Sequence, residues 1–235
     1  MTDLPAPMRT LGIAVLAGTV LYIVPSALHG NPPIDSAAQT LEYVRDRPTW
    51  RPAHMINIAA VLLWAVSFTA LTRLAAPASR FLGTAVTAVA TAAAAVFAVY
   101  FSVHAFGLTT AADQYFERGA NRAAILERTE TLLIVLGSTA FTAQAMLGAL
   151  VALTGYTLTR SRTLPPWLGW WAVLAGLGWL TGALFISFAV IVPFTALTWA
   201  WTFVVAFTLW RRPGFWAGDI RPSQGEAAPS SVGGT

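Results

Sequence analysis

The chain has 235 residues, of which 56% are hydrophobic and only 10% charged, whereas an ordinary soluble domain carries about a quarter charged residues. A water-soluble globule, a disordered chain, a collagen-like repeat and a basic nucleic-acid-binding domain are excluded on that ground, and the formal charge of +4 is accounted for by arginines flanking membrane segments. The absence of cysteine removes disulfides, thiolate metal sites, iron–sulfur clusters and cysteine catalysis.

The charges divide the chain, because a membrane span needs roughly 20 apolar residues to cross about 30 Å of hydrocarbon. None lies between Arg9 and Asp35, Arg51 and Arg73, Arg80 and Asp113, Glu130 and Arg160, or Arg162 and Arg211. The first four gaps each hold one helix. The fifth, residues 163–210, is too long for one helix and fits two joined by a tight turn, with Pro193 opening the second. The prediction is an all-α polytopic membrane bundle of six transmembrane helices, at about 10–29, 54–75, 81–107, 123–156, 166–187 and 192–210, with two short outer-face helices. These spans form one domain over 1–213. Residues 214–235, largely Gly, Pro, Ser and Ala, have little to bury and are expected to be a disordered cytoplasmic tail.

In chain order, the first span has too long an apolar run for a cleavable signal peptide and is expected to be retained. Tyr22, Ser26 and His29 share one of its faces. In the loop that follows, Asp35 or Ser36 can cap a helix, Ser36 and Gln39 have capping-box spacing, and Ile34, Ala38, Leu41 and Val44/Arg45 fall at helical intervals, which predicts a short amphipathic helix. The second span opens near His54, with Asn57 one turn on. The third is rich in small residues (Gly83, Ala85, Ala88, Ala92, Ala93, Ala95), which places it centrally, and carries Tyr100 and His104 one turn apart. Ala111 to Arg118 is expected to make a helical turn or two closed by Gly119, and Asn121 to cap the fourth span. On that span Glu127, Glu130, Gly137 and Gln144 lie close to one stripe, expected to face the interior. Gly178 and Gly182 form a small-xxx-small pair on the fifth. Trp50, Trp167, Trp170, Trp171, Trp210 and Trp216 sit near predicted helix ends, as in an aromatic belt, and are assigned no chemistry.

Six spans put both termini on one side. That side carries eight arginines against six on the other, which orients the termini to the cytoplasm of an inner (cytoplasmic) membrane. The opposite face holds both ordered loops and all three histidines, so a site is expected there. Neutral imidazole and carboxylate suit a divalent transition metal, which makes His29, His54, His104 and Glu130 the candidate ligands; two histidines can instead bracket a haem. Tyr22, Asn57, Tyr100 and Gln144 are candidate cofactor contacts. No HExxH, CxxCH, GxSxG, P-loop or dinucleotide fingerprint is present.

A span ending in Leu28-His29, Trp50-Arg51-Pro52-Ala53-His54 opening the next, acidic residues around Glu127 and Glu130, Pro166-Trp167-Leu168-Gly169-Trp170 and Trp210-Arg211-Arg212-Pro213 together resemble uncharacterised six-span membrane proteins of high-GC bacteria. The resemblance implies the fold and no activity. Three functional readings stay open. One is an outward-opening polar pocket for a small apolar or amphipathic ligand, a metal or haem. Another is a membrane-embedded enzyme acting on a lipid or isoprenoid through the carboxylates Glu127 and Glu130. The third is a structural subunit of a membrane complex.

Overall fold

A computed structural model describes residues 6–75, 79–161 and 164–211, all of whose regular elements are helical. Helices α1 (Ala6–His29), α3 (Trp50–Ala75), α6 (Arg122–Thr159), α7 (Pro166–Leu184) and α8 (Phe188–Arg211) are single spans. The remaining span, residues 80–115, is compound: α4 (Arg80–Ser102) runs through a π-helical turn, Val103–Leu108, into α5 (Thr109–Tyr115) without a break. A short helix, α2 (Ala37–Arg45), lies between α1 and α3. These six spans are long and apolar enough to cross a membrane, and the protein is a multipass membrane bundle. The tail expected to be disordered lies outside the described residues.

The spans form a closed ring in which α1 packs on α3, α3 on α4, α4 on α6, α6 on α7, α7 on α8 and α8 on α1, while α3 also touches α6 across the middle. The third span is therefore one member of the ring rather than its centre. Part of its small-residue face lines an open groove of about 880 Å³ with Leu62, Val66 and Arg73 of α3. Leu62 and Val66 are 49% and 67% exposed, so this groove faces outward and lies apart from the histidines.

The tightest seam joins α6 to α7. A Cβ on Gly148 would lie 2.6 Å from the Leu180 nitrogen, and one on Gly155 would lie 2.6 Å from that of Val173. Gly169 and Gly176 of α7 make the reciprocal approaches, so backbone meets backbone with no side chain between. In lipid this van der Waals contact is what draws helices together. Gly178 and Gly182 serve the α7–α8 contact, against Phe194 and Ile191.

The α7–α8 turn differs from expectation. Pro193 does not open α8 but sits inside it, one and a half turns in. The chain turns earlier, because the N–H of Ser187 bonds back to the Gly182 carbonyl at 2.9 Å and the Ser187 carbonyl accepts from Val190 and Ile191. Ile186 adopts φ 53° there, a left-handed conformation costly for a β-branched side chain. The tip is apolar and outward, with Phe185 78% and Phe188 59% exposed. It meets α6 at Phe141, whose ring is 5.3 Å from that of Phe188. Since α6 has 38 residues and α7 has 19, or about 57 Å against 28 Å, the first half of α6 continues beyond the end of α7.

The interior is filled by rings. Tyr22 stacks on Trp64 at 4.9 Å, Trp64 on Phe68 at 6.2 Å, and Phe68 lies 5.7 Å from Trp201. Their polar edges are tied: Trp64 Nε1 donates to Thr19, whose hydroxyl also bonds Thr202, and Trp201 Nε1 donates to the Leu168 carbonyl.

Candidate functional site: an imidazole cluster beneath α2

Three helices deliver one histidine each. His29 is the last residue of α1, His54 lies in the second turn of α3, and His104 sits in the π-helical turn. The His54 ring touches both others, with centroids 4.8 Å from His29 and 4.8 Å from His104; the second pair is parallel within 5°. Trp50, one turn before His54 and 1% exposed, touches all three at 5.5, 4.4 and 5.6 Å. Tyr100 stands edge-on to His104 at 4.7 Å, and Phe101 connects His54 to Tyr22 one layer deeper.

The π turn is what makes this arrangement. A wider turn frees carbonyls from the regular helical ladder, and such turns recur at functional sites. Here the His104 carbonyl accepts from Trp50 Nε1 at 2.8 Å, and the Ala105 carbonyl accepts from Arg51 Nε and Thr109 Oγ1. The start of α3 is thereby fastened to the third span. Pro52 costs nothing in the first turn of α3, where its missing N–H has no helical partner.

Helix α2 covers the cluster. Ser36 caps it, accepting from the Gln39 N–H as its spacing predicts, and Ala37, Thr40, Leu41 and Val44 turn inward. Leu41 and Val44 of the expected stripe are buried, Ala37 takes the place of Ala38, and Ile34 is 63% exposed. Tyr43 donates to the His29 carbonyl at 2.9 Å, holding the lid to the end of α1. Gly30 allows this with φ 65° at a place where a Cβ would meet the Tyr43 hydroxyl. On the other side α5 packs on α2 and α6. The second expected outer helix is therefore a continuation of the third span rather than a separate element, with Gly119 at φ 78° and Asn121 capping α6 as expected.

Hydrogen bonding within the cluster is incomplete. His54 Nδ1 lies 2.7 Å from the Trp50 carbonyl; a carbonyl only accepts, so Nδ1 carries the proton and Nε2 of the neutral ring keeps its lone pair. Nδ1 of His29, Nδ1 of His104 and Oδ1 of Asn57 are buried without a hydrogen-bond partner among the described residues. The Asn57 amide donates to Ser26 at 3.3 Å.

The other sequence candidates are distributed unevenly. Asn57 and Tyr100 adjoin the imidazoles. Tyr22 belongs to the ring column below, and Gln144 accepts from Trp179 of α7 at 2.6 Å. Glu127 and Glu130 are exposed, whereas Ile125, Thr129 and Leu136 turn inward on this part of α6. The stripe running through Gln144, Gly137 and Glu130 is an interior stripe only as far as α7 accompanies it. Beyond Phe141 the partner has ended, and Gly137 has nothing within 4 Å of a notional Cβ. The expectation of an interior Glu130 fails for that reason.

Two further observations concern chemistry and the aromatic belt. Imidazole lone pairs lie in the ring planes, so stacked rings do not direct nitrogens to one point about 2 Å from each. Among the described residues no three His, Asp or Glu side chains are grouped so that they could hold a metal ion as they stand. The rings are also in mutual contact, leaving no gap for a haem macrocycle between them. Trp50, expected at the membrane belt, is instead the hub of the cluster. Its position four residues before His54, on the same helical face, is the signal that would have found it. Trp167, Trp170 and Trp210 are more than half exposed, as belt residues are.

A closed ring of six apolar helices with a cluster of imidazole and aromatic rings at one end defines a polytopic helical membrane protein. Residues 10–210 match the family described as domain of unknown function (DUF4386), and the chain belongs to that family. No curated protein and no solved structure matches the chain.

Proposed function

We propose that the His29–His54–His104 cluster is the functional centre of this membrane protein and binds a small polar ligand entering at the α2 end. The observation that carries this reading is the set of buried polar atoms without partners, Nδ1 of His29, Nδ1 of His104 and Oδ1 of Asn57. Each unsatisfied buried polar atom costs about 1–3 kcal/mol, and three gathered at one place are most simply offset by a bound molecule. The Asn57 amide oxygen accepts, and an imidazole Nδ1 accepts or donates with its tautomer, so the set matches a small ligand that carries hydrogen-bond donors and acceptors. Acid–base chemistry on Glu127 and Glu130 has no support in this site, because both carboxylates face outward.

A divalent transition metal is the second reading, favoured by His54 alone. A ligating imidazole commonly gives its other N–H to a backbone carbonyl, which is the bond His54 makes to Trp50. This reading requires the rings to turn out of their stack.

Native mass spectrometry of the protein released from nanodiscs, with elemental analysis and an absorbance spectrum, tests both. An added small-molecule mass that disappears in the His29→Gln/His104→Gln double variant supports the first reading, and a stoichiometric metal lost in the same variant supports the second. Wild-type protein at its bare mass and free of metal rejects both.

We place the α2 end outside the cytoplasmic membrane and both termini inside, on the count of eight arginines against six. A membrane-impermeant maleimide added to intact cells should label Ser36→Cys and spare Ser230→Cys, with no native thiol to compete. The reverse pattern overturns the orientation.

A further inference from the structure

A second cavity, of about 350 Å³, lies between the end of α2, the first turn of α3 and α5, and shares Trp50 with the imidazole cluster. Three of the protein's fourteen basic residues line it: Arg45, Arg47 and Arg51. Asp113 is the one carboxylate in the lining, so the formal balance there is 3 − 1 = +2.

None of the three arginines has an ion-pair partner among the described residues. Asp35, Glu42 and Asp46 are near in sequence, yet none lines the cavity or pairs with them. Uncharged groups hold the guanidiniums instead. Arg45 lies 4.0 Å over the Phe116 ring, and Arg47 lies 3.3 Å over the Tyr43 ring while donating through Nη1 to the Tyr43 carbonyl. Arg51 donates through Nε to the Ala105 carbonyl, 5.5 Å from the Phe106 ring.

Those contacts have a common consequence. A guanidinium has five N–H donors at the edge of its plane; stacking occupies its face and one carbonyl occupies one donor, which leaves most of the edge free. Three such arginines, positioned by aromatic rings and a π-turn carbonyl, line one small cavity and have no ion-pair partner among the described residues. Planar forks of this kind match the oxygens of phosphate bidentately.

We propose that this cavity binds a phosphate-type oxyanion, held by Arg45, Arg47 and Arg51. The shared chemistry is the phosphate group, and two sources supply it: a free anion from solution or the headgroup of an anionic phospholipid. The inference is independent of the imidazole reading, since it uses different atoms and requires nothing in the cluster.

Inorganic phosphate titrated into the detergent-purified full chain by calorimetry, and the protein reconstituted in nanodiscs of phosphatidylcholine with or without phosphatidic acid, separate the sources. Saturable binding of free phosphate identifies the soluble anion. Phosphatidic acid retained by the protein, with no response to free phosphate, identifies the headgroup. In either case Arg47→Gln or Arg51→Gln should weaken binding about tenfold, and the triple Arg→Gln variant should abolish it. Arg160→Gln, at the opposite end of α6, should leave it unchanged. Asp113→Asn removes the one opposing charge and should tighten binding severalfold, a gain that misfolding cannot produce. A wild-type protein that takes up neither probe, a triple variant that binds as wild type does, or an Asp113→Asn variant that binds no tighter overturns the proposal.

Discussion

The α6–α7 seam and the imidazole cluster sit at opposite ends of the same ring of helices and are built on contrary plans. At the seam, four glycines bring backbones together until no space for even one added carbon remains. The two backbones there are in direct van der Waals contact. In the cluster the contacts are made by large rings, Trp50 foremost, and three buried polar atoms are left without partners. The comparison separates two kinds of buried feature: one in which packing is complete and substitution breaks the fold, and one in which hydrogen-bonding capacity remains after the fold is made.

The largest expected effect tests the first half of that contrast. Gly155→Leu or Gly176→Leu pushes α6 and α7 apart and should cost upward of about 3 kcal/mol, read as loss of a monodisperse peak in detergent gel filtration. Normal elution and melting of either variant would mean that the seam is not tight. Trp50→Ala should come next, at about 3–5 kcal/mol for removing a buried aromatic, read as a lowered thermal midpoint. Trp50→Phe keeps the ring contacts and loses the bond to the His104 carbonyl, so it should cost only about 1 kcal/mol. Equal losses in the two variants would assign Trp50's role to the hydrogen bond rather than to the rings.

Smaller still should be the stability change in His104→Gln, which retains polar atoms of similar reach. Its melting should stay close to wild type while the ligand co-purifying with the protein is lost. A large drop in melting temperature with the ligand retained would move the cluster into the structural class with the seam. At the bottom of the scale, Glu130→Gln should alter neither ligand nor melting, because the carboxylate is exposed.

Much of this was legible from charge spacing alone. Gaps free of Asp, Glu and Arg locate all six spans, because hydrocarbon tolerates few charges and five uninterrupted apolar stretches are a strong signal. The capping residues Ser36 and Asn121 were readable for a similar reason: their chemistry is local. That His29, His54 and His104 meet follows from their common end of the bundle, but no local rule gives their stacking, which depends on how α1, α3 and the third span rotate about their axes. Glu130 was misread because helical periodicity says which residues share a stripe and is silent on where the neighbouring helix stops. The π turn and the early start of α8 are equally hidden, since both arise from tertiary contacts, the first at Trp50 and Arg51 and the second at Ser187. That Arg45, Arg47 and Arg51 line one cavity is equally hidden, since it depends on the packing of α5 against α2.

The stacked column of Tyr22, Trp64, Phe68 and Trp201 fills the middle of the ring, with its polar edges already committed to Thr19 and to the Leu168 carbonyl. Such a plug offers water no continuous route along the bundle axis. On the reading proposed above, a ligand that reaches the imidazoles beneath α2 therefore has to leave by the way it entered.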